Sequence, residues 1–177
     1  MQNWFSNSKR IISAFTSTTI LTLSLGHATL AADPFRVTNQ RQIGASTEAA
    51  FKAIFQQGNY QQAQRYLEQA VLTEPNEPLA YAMKASLAYT LNKDTKALSA
   101  YAKKTQETAQ QLITKDPLRG NLYAAVGHFL QGAAVLVREG TLKGTPQALS
   151  QLRQVYTYLD KAEELCATLA KSINQKD

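Results

Sequence analysis

The chain has one cysteine, Cys166, and two histidines, His27 and His128, among its 177 residues. Hydrolytic or acyl-transfer chemistry needs a nucleophile, a base and a group that orients the base, and a zinc-like site needs several His, Cys or carboxylate ligands. His27 falls in an N-terminal leader, so His128 stands alone, on a helix rich in small residues. Its plain role is packing or hydrogen bonding; its functional alternative is contact with a bound partner. Asp160, Glu163 and Glu164 form the one acidic cluster, which reads as a solvated helix face. Gly127-His128-Phe129-Leu130-Gln131-Gly132 lies within a helical period and lacks the Lys-Ser or Lys-Thr that follows a phosphate loop. The sequence thus predicts a protein that is not an enzyme, with no catalytic residue, metal or cofactor.

Charge of one sign is never concentrated either. The net charge is +6, but the densest basic point is Lys103-Lys104, whereas a nucleic-acid surface needs a stripe of phosphate-neutralising side chains. Long apolar runs are missing too. A bilayer span needs about 20 predominantly apolar residues; Ile11 to Leu25 is shorter and diluted by Ser and Thr, and Leu122 to Val137 is interrupted by His128 and Gln131. The first run instead follows Lys9-Arg10 and precedes Gly26-His27-Ala28-Thr29-Leu30-Ala31-Ala32, the three-part plan of a secretory signal peptide. Residues 1–32 are read as that leader, with cleavage near Ala31 or Ala32 and an uncleaved anchor as the alternative. No Cys follows the run, which excludes a lipoprotein anchor, and the basic pair is not twin arginine, which favours ordinary Sec export. Removing the leader takes away two basic and no acidic residues, leaving about +4. The expected compartment is the periplasm or a thylakoid lumen.

What the chain does have is a repeat at 34 residues. Gly58-Asn59-Tyr60 lies 34 positions before Asn92-Lys93-Asp94, and the same offset carries Thr47 to Tyr81, Phe51 to Ala85, Ala63 to Ala97 and Leu67 to Tyr101. A period of this size marks stacked helical hairpins, none of which can bury its apolar face alone. Residues 33–45 are polar, contain Pro34 and Gly44, and read as a flexible linker; residues 46–175 read as the repeat domain. Six helices and no strand are predicted. Gly58-Asn59, Pro75, Asn92 and Asp116-Pro117 punctuate the first five. A loop from Gly140 to Thr145 precedes the sixth, for which Thr145 is the cap and Pro146 the first helical residue. Leu149, Leu152, Tyr156, Leu159, Ala162, Cys166, Leu169 and Ile173 form the stripe of that helix. Cys166 on this stripe reads as a buried, inert thiol, with an intermolecular disulfide as the alternative.

These residues resemble the tetratricopeptide repeat. The first unit, about Gly44 to Glu77, has Ala63, Leu67, Ala70 and Pro75 at the family's positions, although Thr47 and Phe51 depart from its aromatic and small pair; the second has Tyr81, Ala85, Ala97 and Tyr101; the third has Tyr123 and Gly127 and then becomes irregular. The run from Asp116 to Leu165 is also similar to exported repeat proteins of photosynthetic bacteria. The resemblance implies an all-α right-handed superhelix whose first helices line a concave groove for an extended peptide or a helix. By position, that groove is Glu48, Lys52, Phe55 and Gln56, then Ala82, Ser86, Tyr89 and Thr90, then Asn121, Ala124, His128 and Gln131. Only Lys52 and Asn121 suit a carboxylate clamp and Glu48 opposes one, so the implied partner is a partly apolar protein or peptide anchored on Phe55 and Tyr89. The rival expectation is a carrier of a lipid, pigment or other small molecule, with an apolar cavity between the helices near Leu122–Val137 and Leu149–Leu169. The apolar stripe of the last helix also raises homodimerisation, because repeat stacks usually end in a polar capping helix.

Overall fold

The computed structural model describes residues 41–174, so the leader and most of the linker lie outside the described residues. The described chain is all-helical: α1 (Ala45–Phe55), α2 (Tyr60–Thr73), α3 (Pro78–Asn92), α4 (Thr95–Ile113) and α5 (Pro117–Asn174), with no strand among the described residues. Each helix start has a specific source of acceptors for its free amides. Asn59, Glu77, Asp94 and Asp116 accept from the amides of Gln62, Leu79, Ala97 and Arg119, at 2.9 to 3.2 Å. Pro78 and Pro117 occupy first helical positions, where a missing amide proton costs nothing.

The exception is α1, which starts after Gly44, a residue with no side chain to cap it. Glu74, just past the end of α2, supplies the cap from a distance: its carboxylate accepts from the amides of Ser46 at 2.8 Å and Thr47 at 3.1 Å, and from the Thr47 hydroxyl. A Cβ at Gly44 would sit 1.9 Å from that carboxylate carbon, so any side chain there would have to push the Glu74 carboxylate out of its capping position. Residues 41–44, read with the linker, are held against the body. Ile43 joins the core, and Arg41 donates to both carboxylate oxygens of Glu77 at 2.7 Å while lying 5.9 Å above the Tyr123 ring.

Consecutive helices are neighbours, and α3 also meets α1 and α5. Small side chains let them approach: Ala50, Ala53, Ala63, Ala70, Ala80 and Ala109 are fully buried around Leu67 and Tyr123. A second cluster of Ala82, Ala85, Leu98, Ala102, Leu130 and Ala134 joins α3, α4 and the start of α5. The repeat also lengthens, since α4 has 19 residues against 14 in α2.

The expected count of six helices becomes five because the fifth resumes at once. Gly140, at φ 76° and ψ 168°, is the one non-helical residue inside α5, and the six-residue loop expected from Gly140 to Thr145 shrinks to that residue. This backbone region belongs almost wholly to glycine. Thr145 does not cap a helix; its hydroxyl donates to the Thr141 carbonyl within the turn. The two arms of α5, residues 117–139 and 141–174, fold back on each other as an antiparallel hairpin. Their register follows from Gly144 against Val135 and Leu136, Gly132 against Ala148 and Gln151, and His128 hydrogen-bonded to Gln151.

Candidate binding groove

Along the second arm the residues that face inward are Ala148, Gln151, Val155, Tyr158 and Ala162, at alternating spacings of three and four. At the contact the first arm presents Gly132, which faces Ala148 and Gln151 at van der Waals distance, so the smaller side chains occupy it. The bulkier Leu149, Leu152, Tyr156 and Leu159 therefore sit one helical step away and remain between 39 and 59% exposed. Of the described side chains of the sequence-derived stripe, Leu149 to Leu169, only Ala162 is buried. The expectation of a buried Cys166 is corrected: the thiol is exposed, because the second arm outruns the first beyond about residue 163.

Two of the displaced side chains, Leu149 and Leu152, border an apolar groove of about 380 Å³ between the two arms. Phe129, Ala133 and Leu136 line it from the first arm, Leu149, Leu152 and Val155 from the second, and Thr141 and Thr145 close the end near the turn. His128 forms its other end. The ring stacks on Tyr158 with centroids 5.3 Å apart, and Nδ1 lies 2.8 Å from Gln151 Oε1, so the imidazole is fixed by both arms. Tyr158 in turn reaches Gln110 of α4 at 3.4 Å. The wall is almost entirely carbon, which suits another apolar surface and offers little to a charged ligand.

The concave-face residues are distributed differently. Glu48 and Lys52 pair with each other at 2.7 Å. Phe55 and Gln56, at the end of α1, are exposed, with the Phe55 ring tilted against Phe51 at a centroid distance of 4.6 Å. On α3, Ser86 and Thr90 are exposed and Tyr89 is half-buried under the Lys93 ammonium. Asn121 is buried and donates to the Pro117 carbonyl at 2.6 Å. Gln131 points the opposite way from His128: it exchanges a hydrogen bond with Ser99 of α4 and lines a second, polar groove of about 530 Å³ with Lys96, Lys103 and Arg138. Of the predicted residues, then, His128 alone lines the apolar groove.

The groove's main residues, Phe129, Leu136, Leu149 and Leu152, are absent from the predicted concave face, but all four lie on the two segments, Leu122–Val137 and Leu149–Leu169, between which the carrier expectation put an apolar cavity. Their signal was present in the threefold and fourfold spacing of the last stripe, but periodicity says which side chains share a face and not what covers it. Electrostatics are strongest elsewhere. Burial raises the Glu77 carboxyl above its ordinary value, and Arg41 pulls it back only in part. Among the described residues no three of His, Cys, Asp and Glu come together as a metal-binding group, and no helix is long and apolar enough to cross a membrane. No protein-family model matches this chain, and neither a curated protein nor a solved structure matches it.

Proposed function

We propose that this chain is a non-catalytic, tetratricopeptide-like scaffold or adaptor that works outside the cytoplasm and holds a partner helix against its C-terminal hairpin. The observation that carries the reading is the apolar groove between the arms, bordered by leucines that no other part of the described chain covers. A long, open trough accepts the apolar face of a helix, whose side chains enter at three- and four-residue spacing. Phe129 and Tyr156 supply aromatic area of the kind that dominates binding energy. On the concave face the exposed Phe55, Ser86 and Thr90, with the half-buried Tyr89, remain a second contact region for an elongated partner.

The carrier reading keeps one specific support, since the groove volume lies in the range of small-molecule sites. Such sites enclose most of their ligand, however, and this one is open along its length. Two measurements separate the readings. Native mass spectrometry of the purified chain should show no co-purifying lipid or pigment. The double variant Leu149→Ser with Leu152→Ser should keep its helical circular dichroism and lose partner capture from an envelope extract; undiminished capture would remove the groove from consideration.

A further inference from the structure

The exposed face of the second arm has a regularity that a general apolar patch lacks. Leu142, Leu149, Leu152, Tyr156 and Leu159 stand on one seam, with Thr145 filling the remaining position before Glu163 and Cys166 continue it. The spacing alternates three and four from 142 to 166, which is the seam of two helices packed knobs into holes over more than three heptads. Among the described residues this seam has no covering helix: Leu142 is 96% exposed and Tyr156 59%. The two copies of such a seam present the same surface, which is the requirement of a twofold contact.

Charge selects the direction. Between residues 141 and 159 the arm carries Lys143 and Arg153 and no acidic residue; Asp160, Glu163 and Glu164 follow within the next five positions, with Lys161 among them. Side by side and parallel, two copies would bring Glu163 against Glu163 inside the seam. Running antiparallel, the acidic end of each lies along the basic start of the other. The register that keeps apolar side chains opposite each other sets Leu149 against Leu159 and Leu152 against Tyr156, each twice. It places Glu163 against Thr145 beside Lys143, and Cys166 against Leu142. Arg153 then meets its copy, but on the solvent-facing flank, where long side chains can diverge.

We propose that the occupant of this groove and seam is a second copy of the chain, docked antiparallel, so that the two hairpins close into a four-helix bundle. This rests on the reading of the groove as a helix-binding site and names its partner. Phe129 and Leu136, which line the groove from the first arm, become covered along with the seam. Cys166 acquires a defined neighbour and stays distant from its own copy: residues 142 and 166 of one helix are about 36 Å apart at 1.5 Å per residue.

Sedimentation velocity over a dilution series, combined with thiol crosslinking, tests this. The purified chain should sediment as a dimer that dissociates on dilution, and Leu152→Glu should raise the dissociation constant at least a hundredfold while leaving helicity unchanged. Mild oxidation should leave the wild-type chain, with Cys166 alone, uncrosslinked, whereas Leu142→Cys should give a covalent dimer through the introduced thiol and Cys166 of the other copy. A monomer at every concentration, a Leu152→Glu dimer of undiminished affinity, or efficient Cys166-to-Cys166 linkage in the wild type would each overturn the proposal. If the chain is monomeric but the Leu149→Ser, Leu152→Ser variant still loses partner capture, only self-pairing falls. If capture also persists, the groove itself is not a binding site.

Discussion

From α1 to α4 the apolar periodicity faces inward, and in the second arm of α5 most of it faces out. Ala50, Ala63, Leu67, Ala70, Leu79, Met83, Leu87 and Leu98 are all under a tenth exposed, whereas among residues 141–171 only Gly144 and Ala162 are buried. The two regions have the same alphabet and the same spacing. What separates them is the neighbour: every helix of the first region has another packed on its apolar face, while the last arm has its partner on a face of small and polar side chains. Among the described residues no further helix lies on the leucine face of the last arm. Such a face becomes either a polar cap or a contact, and leucines at 142, 149, 152 and 159 favour contact.

The largest expected effect breaks the comparison directly. Leu67 is 1% exposed at the centre of the main core, so Leu67→Ala should cost about 2–5 kcal/mol through lost burial and a residual cavity. Leu149→Ala removes the same atoms from a half-exposed site, and in dilute, monomeric protein its cost should stay within about 1 kcal/mol. Urea unfolding at low concentration measures both. Equal losses would mean that the last arm is as well covered as the first helices, and the contrast would disappear.

Gly140 is the joint on which the second region depends. With φ at 76° and ψ at 168° it occupies backbone space that an L side chain enters at a cost of about 1–3 kcal/mol. No atom lies within 4 Å of the place a Cβ would take, so Gly140→Ala should reveal backbone strain alone. Two outcomes are open to the chain: it absorbs the strain, or it straightens the hairpin into one long helix. The first lowers the unfolding midpoint and leaves the hydrodynamic size unchanged; the second detaches His128 from Gln151 and lengthens the particle. We expect the first, because His128 of the first arm is tied to both Gln151 and Tyr158 of the second.

Much of the helical organisation was legible in the sequence, because its marks are local. Gly58-Asn59, Glu77-Pro78, Asp94 and Asp116-Pro117 end or begin helices through their own backbone and side-chain chemistry, and the structure has helix ends at each. Two features were not legible for the opposite reason. The cap of α1 comes from Glu74, 30 positions away from Gly44, and no window around Gly44 contains it. The groove depends on which of two overlapping stripes of one helix turns inward, one headed by Ala148 and Gln151 and the other by Leu149 and Leu152. Hydrophobicity chooses the leucines, whereas the side chains that meet the first arm at Gly132 are those of Ala148 and Gln151. The apolar cavity expected between Leu122–Val137 and Leu149–Leu169 named the two segments that border the groove, but not which of their faces turns to it.

The smallest effect concerns the best-anchored part of the first region, where Arg41 closes over Glu77. A carboxylate paired with arginine usually titrates low, but here burial is the larger influence and lifts the Glu77 carboxyl above its ordinary value near 4.5. Arg41 and the Leu79 amide act against that lift, and the Glu74 charge adds to it. Since the folded value exceeds the unfolded one, the contribution of Glu77 to stability is full below the unfolded value and falls as pH rises through the folded one. Stability of the wild type relative to Glu77→Gln should therefore improve on acidification from neutral pH through the carboxyl range, opposite in sign to an exposed ion pair. Arg41→Ala should steepen the trend, because the buried charge loses its counterion. Paired urea titrations of the three proteins across that range read the sign. A wild-type advantage that shrinks on acidification would show that the Arg41 charge outweighs burial, and that the N-terminal residues 41–44 are held to the core chiefly by an ion pair.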